Sequence, residues 1–151
     1  MIIREGYKVQ SSDQWKVVVV KSFEEIEAIR EIWEQMQAAK PYPEINADID
    51  RYLSVIKTRT QDVQPYIMLI KQNGALVSMV IGQLKNTRIK CNLRRKTIFN
   101  PNLKTLWIVY GGILGNPTEE ICSMLIRELI KALHQRTFDV VYFNYLGTDS
   151  V

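Results

Sequence analysis

Histidine and cysteine are nearly missing from this sequence, which holds one His and two Cys in 151 residues. Cys91 and Cys122 lie in different segments with no CxxC and no Cys/His cluster beside them, which argues against a disulfide framework and against a zinc site. His134 has no Asp, Cys or Ser at a catalytic spacing and reads as a cap or surface residue, while Ser22 and Ser123 lack a GxSxG setting, so nucleophilic hydrolysis has no support. The acids from Glu24 to Glu34, and Asp48 with Asp50, show no metal-ligand spacing and read as solvated helix faces. Long apolar runs are absent too. The N-terminus, MIIREGYKVQSSDQWK, has no signal core, and Val17–Val20 and Tyr66–Ile70 fall far short of the ~20 residues of a membrane span. The expected location is the cytoplasm, and no low-complexity stretch or repeat is present.

What is there is an ordinary globular composition, 46% hydrophobic and 24% charged, in a length that suits one domain able to bury roughly 70% of its unfolded surface. The expected organisation is a tail over residues 1–14 and a single domain over 15–151. A net charge of +4 permits an anionic partner without demanding one.

The pattern of residues gives the element order. WKVVVV, Trp15–Val20, reads as a buried strand. Ser22 with Glu25 forms a capping box, and Phe23, Ile26, Ile29, Trp33 and Met36 predict one amphipathic helix ending before Pro41. Ile45, Ile49, Tyr52, Leu53 and Ile56 predict a second helix, with Asn46 or Asp48 as its cap. Tyr66–Lys71 and Ala75–Leu84 flank Asn73-Gly74, the signature of a tight hairpin. A weaker extended segment follows over Arg88–Phe99, and LWIVY, Leu106–Tyr110, reads as a core strand. Gly111, Gly112 and Gly115 read as a flexible link, after which Asn116 as cap, Pro117 and Glu119 predict a helix start. Ile121, Met124, Leu125, Leu129 and Leu133 supply its buried face, and DVVYFNY, Asp139–Tyr145, predicts a last strand. The fold class is α/β (α+β): a mixed, largely antiparallel sheet flanked by helices.

That order, with Trp33 inside its helix, YIMLIKQNGALVSMVIGQL from Tyr66 to Leu84, YGGIL from Tyr110 to Leu114 and FDVVYFNYLGTDS from Phe138 to Ser150, resembles the GNAT superfamily of N-acyltransferases. More narrowly it is similar to the N-terminal lobe of the cellulose-biosynthesis-type acetyltransferases and Fem-type aminoacyl transferases, which carry two such lobes. The resemblance implies a GNAT-like domain truncated at its C-terminus, the non-catalytic or substrate-shaping half of a two-lobe transferase, with acetyl-CoA or another acyl donor if catalytic and none otherwise, and a small-molecule or amine-bearing acceptor, an acidic one among the options. A second GNAT-like lobe or a homodimer would complete it. It implies coenzyme contacts at Tyr110, Gly111, Gly112 and Gly115, and acyl-transfer roles for Tyr142 as proton donor and Asn144 as amide holder on the last strand, where packing is the other reading. Two departures stand out: the stretch after Gly112 lacks the leading Gln or Arg of the coenzyme loop, and Pro117, Glu119 and Glu120 put a residue without an N–H and two carboxylates where a pyrophosphate needs N–H groups and little negative charge. The alternative to a transferase is a stand-alone binding or interaction module on the same fold.

Lys85, Arg88, Lys90, Arg94, Arg95 and Lys96 form a cationic strip. It reads either as a site for an acidic or phosphorylated ligand or as a charged edge that guards strands against pairing. With no aromatic residue between Lys85 and Lys96, single-stranded nucleic acid is not the expected partner.

Overall fold

The computed structural model describes residues 14–144. Seven strands and four helices follow in the order β1 (Trp15–Val20), α1 (Phe23–Ala28), α2 (Arg30–Ala38), α3 (Ile49–Thr58), β2 (Val63–Gln72), β3 (Ala75–Arg88), β4 (Cys91–Leu93), β5 (Lys96–Phe99), β6 (Asn102–Gly115), α4 (Glu119–His134) and β7 (Val140–Phe143), with a 3-10 turn at Ile45–Ala47 before α3. The main sheet has the order β1-β2-β3-β6-β7, antiparallel except for the parallel β6–β7 pair that α4 connects. The expected mixed, largely antiparallel sheet between helices is the one observed. No helix among the described residues is long and apolar enough to cross a membrane.

The sheet separates two cores because successive side chains point to opposite faces. Ile67, Leu69, Met79 and Ile81 meet α1–α3, with Trp33 and Ile26 fully buried. Tyr66, Met68, Ile70, Val80, Leu106 and Ile108 meet α4 and the fully buried Phe138. On the first face Trp33 Nε1–H donates to the Ala47 carbonyl at 2.8 Å and the Tyr52 hydroxyl to the Gly82 carbonyl at 2.6 Å, so both polar groups are satisfied where an unmade bond would be costly. Burial pushes the Tyr52 hydroxyl well above the usual range, which keeps it a donor.

Several local expectations are corrected. The Phe23–Met36 helix is broken at Ile29, whose backbone leaves helical geometry (φ −105°, ψ 7°), and Arg30 then ties the pieces together by bonding Glu27, Glu34 and, on α3, Asp50. The helix foreseen from Ile45 starts at Ile49, because Asp48 caps it through the Arg51 N–H and Asn46 belongs to the 3-10 turn. Arg88–Phe99 holds a separate two-stranded sheet. The glycines are not a flexible link, since β6 runs through them to Gly115. That strand end is possible because Gly115 has φ +89° and any Cβ there would meet the Val77 carbonyl at 2.4 Å. Helix α4 begins at Glu119 under Thr118, which accepts from the Ile121 N–H, so neither Asn116 nor Pro117 plays the foreseen part. Tyr145, and the LGTDS that follows it, lie outside the described residues, as do residues 1–13 of the expected tail. Gln14, placed by sequence in that tail, exchanges backbone and side-chain hydrogen bonds with Asn73 at the hairpin turn.

Candidate functional site

The pairing of β6 with its neighbours creates the site. Asp139 bonds the Lys104 backbone through both its N–H and its carboxylate, and this sets β7 beside β6 from Thr105 to Ile108. The last rung is the Asn144 N–H on the Ile108 carbonyl at 3.1 Å. Beyond it β6 continues to Gly115, and the described part of the chain's last segment ends at Asn144. At the same point β6 bulges: Ile108 faces Gly82 and Ile113 faces Val80, so Val109–Gly112 lie opposite Ile81 alone. Gly111 takes φ +69° in this bulge, and the stem of Glu44 lies where its Cβ would be. Lys40 Nζ reaches across to the Gly111 carbonyl at 3.1 Å, and burial holds the Lys40 ammonium below its ordinary pKa.

A pocket of about 190 Å³ opens beside this last rung, lined by Asn46, Arg51, Tyr52, Val55, Gln83, Trp107, Val109, Tyr110 and Asn144. Among the described residues its wall carries one cation, three side-chain amides and several rings, and no carboxylate, thiol or imidazole. Trp107 is the residue held by ring contacts. Tyr142 from β7 stacks on it with centroids 4.1 Å apart and planes 29° apart, and Lys85 from β3 sets its ammonium 3.5 Å from the ring centroid. Burial first, and then the charge of Arg59, lowers the Lys85 pKa.

The structure therefore brings Tyr110 and Asn144 into one pocket, with Gly111 and Gly112 in the bulge beside it and Tyr142 behind Trp107. It leaves Gly115 at the far end of β6, packed against Val77 and Ser78. The cationic strip is divided. Lys85 belongs to the Trp107 stack, Arg88 ends β3, Lys90 follows it, and Arg94, Arg95 and Lys96 lie at the turn of the small hairpin. Among the described residues no cluster of His, Cys, Asp and Glu could hold a metal. Trp107, Arg51, Gln83 and Asn46 were not anticipated. The one signal available was the period of two in LWIVY, which sets Trp107 on the face opposite Leu106 and Ile108.

The architecture can be compared with known structures. An aminoglycoside N-acetyltransferase, AAC(6')-Iy in complex with CoA, superimposes with a TM-score of 0.52 at 10% identity, over 92% of this chain and 82% of that one. The fold is GNAT-like. A transcriptional regulator from Bacillus halodurans C-125 shares it with a TM-score of 0.50 at 12% identity, over 89% of this chain and 85% of that one. No protein-family model and no curated protein matches the sequence. A fold carried by both an acetyltransferase and a regulator does not assign an activity, which has to come from the site.

Proposed function

We propose that this chain is the acceptor-binding lobe of an N-acyltransferase, similar to the N-terminal lobe of the two-lobed cellulose-biosynthesis-type and Fem-type enzymes. The supporting observation is the wall of the pocket beside Trp107 and Asn144. Among the described residues Arg51 is the only charged lining group and no carboxylate is there to attract an ammonium, so the pocket suits an amine-bearing small molecule that is held by an acidic group. The acidic group lies toward Arg51, the apolar part rests against Trp107 and Val109, and Asn144, Gln83 and Asn46 take the acceptor's polar groups. Tyr142 acts through Trp107 by stacking on the ring, which is the packing reading of this residue and not the proton-donor one.

An acyl-coenzyme A would supply the thioester that the acceptor amine attacks. The residues after β6 do not fit its pyrophosphate: Thr118 already takes the Ile121 N–H, Pro117 has none to give, and Glu119 and Glu120 occupy the first turn of α4. We therefore place the donor on a second GNAT-like lobe or a second copy, and derive no chemical step on this chain. A stand-alone binding module is the second reading, favoured by a pocket wall that, among the described residues, holds no carboxylate or imidazole to act as a base.

Titration of the chain with a panel of small ω-amino acids, each against the alkylamine of equal length, tests the proposal. The expected result is that the amino acids stabilise the fold and change the tryptophan emission, that the alkylamines do neither, and that Arg51→Gln abolishes the difference. Equal binding of both sets, or of neither, overturns it. Acetyl-CoA is expected to give no thermal stabilisation at a hundredfold excess over a micromolar Kd, where a bound ligand gives about 2.7 kcal/mol. Acetylation of the panel by the chain alone would overturn the division between lobes.

A further inference from the structure

We propose that the β4–β5 hairpin is an arm that docks the protein on an anionic lipid bilayer. All seven of its strand residues are exposed, and its strands pair with each other in a sheet of their own. The backbone bond from the Ile89 N–H to the Pro101 carbonyl closes its base. Large apolar side chains left mostly in water and close together mark an interaction surface, and Leu93, Ile98 and Phe99 are 65, 64 and 62% exposed.

Their arrangement follows from the register. Cys91 and Leu93 share one face of β4, and their partners Phe99 and Lys96 share it with them, while Asn92 and Thr97 bond each other on the opposite face at 2.8 Å. The bulge beside the Cys91–Phe99 pair leaves Ile98 as the extra residue. The arm thus has an apolar face, with Arg88 and Lys90 at its base and Arg94, Arg95 and Lys96 at its turn. None of these five cations has an ion-pair partner among the described residues. No Asp or Glu occurs anywhere between Asp62 and Glu119 to supply one within this stretch.

A bilayer surface offers what both halves of the arm require: anionic headgroups for the cations, and hydrocarbon beneath them for the three apolar side chains. Nucleic acid would answer the cations but give Leu93 and Ile98 nothing to bury. A second copy would bring the same five cations against these five. The bilayer is therefore the occupant that the charge and the apolar face jointly select.

Co-sedimentation of the full chain with vesicles of phosphatidylcholine, alone or mixed with phosphatidylglycerol, tests this. Binding is expected only to the mixed vesicles. Arg94→Gln, Arg95→Gln and Lys96→Gln together should weaken it about a hundredfold, at roughly a fivefold loss per charge. Leu93→Ser with Phe99→Ser should weaken it more than about tenfold. Because these positions are exposed, far-ultraviolet circular dichroism should show both variants folded. A Phe99→Trp reporter should shift to the blue on the mixed vesicles. No binding to the mixed vesicles, binding that survives the Leu93/Phe99 change, or displacement of the vesicles by a single-stranded oligonucleotide would each overturn the proposal.

Discussion

The two ends of the β3–β6 strand pair are built in opposite ways. At the Arg88–Asn102 end the strands leave the sheet and run into an arm whose residues are all exposed. Toward the other end β6 bulges beneath Glu44, accepts a bond from Lys40 and adjoins a helical layer that Trp33 and Tyr52 pin by hydrogen bonds to Ala47 and Gly82. The same antiparallel ladder thus carries a hydrogen-bonded, packed pocket wall beside one half and a hairpin paired only with itself beyond the other. Stability is invested in the part that must hold geometry, and withheld from the part that meets the outside.

Substitutions can break this contrast. The largest effect should come from Trp33→Ala, which empties a fully buried site and leaves the Ala47 carbonyl without its partner; urea denaturation should register a loss of about 3–5 kcal/mol. Gly111→Ala should follow at about 1–3 kcal/mol, since the new methyl needs a positive φ and the space held by Glu44, and the ligand-induced change in tryptophan emission should shrink with it. Tyr52→Phe removes only the hydroxyl bond to Gly82 and should cost about 1 kcal/mol in the same denaturation assay.

A smaller effect, with a pH signature, is expected at Glu25. Its carboxylate accepts from the backbone N–H groups of Lys21 and Ser22, which hold its pKa below the ordinary value of 4.5. A depressed carboxylate pKa means that the stabilisation is complete above the unfolded value and is lost as pH falls through the folded one. The melting temperatures of wild type and Glu25→Gln should therefore differ at neutral pH and converge in acid. Least of all, Ile98→Ser on the arm should leave stability within about 0.5 kcal/mol of wild type; a larger loss by thermal melting would show that the arm packs on the body after all.

What could be read from the sequence was whatever short-range rules decide. The capping box at Ser22, the Asn73-Gly74 turn and the Asp48 cap each depend on residues a few positions apart, and each is where the sequence placed it. The errors share a different cause. Gly111, Gly112 and Gly115 look like a linker until β3 lies beside them, because the need for a residue without a Cβ is imposed by Val77, by Ile81 and by Glu44 from a distant loop. The break at Ile29 precedes an arginine whose partner Asp50 is on another helix. The pocket was half visible: Tyr110 and Asn144 were named by resemblance, whereas Arg51, Gln83 and Trp107 meet only after three separate segments come together.

The five cations of the arm have a consequence for the molecule as an electrical object. They exceed the chain's whole net charge of +4, so everything else together carries a net charge of −1. A nearly neutral body with its charge at one extremity is a lever. In a field from a charged surface it experiences a torque as well as a pull, and it turns arm-first before anything touches. That rotation acts over about 10 Å at an ionic strength of 0.1 M and fades as salt is added, so orientation on arrival is set by the medium as well as by the chain.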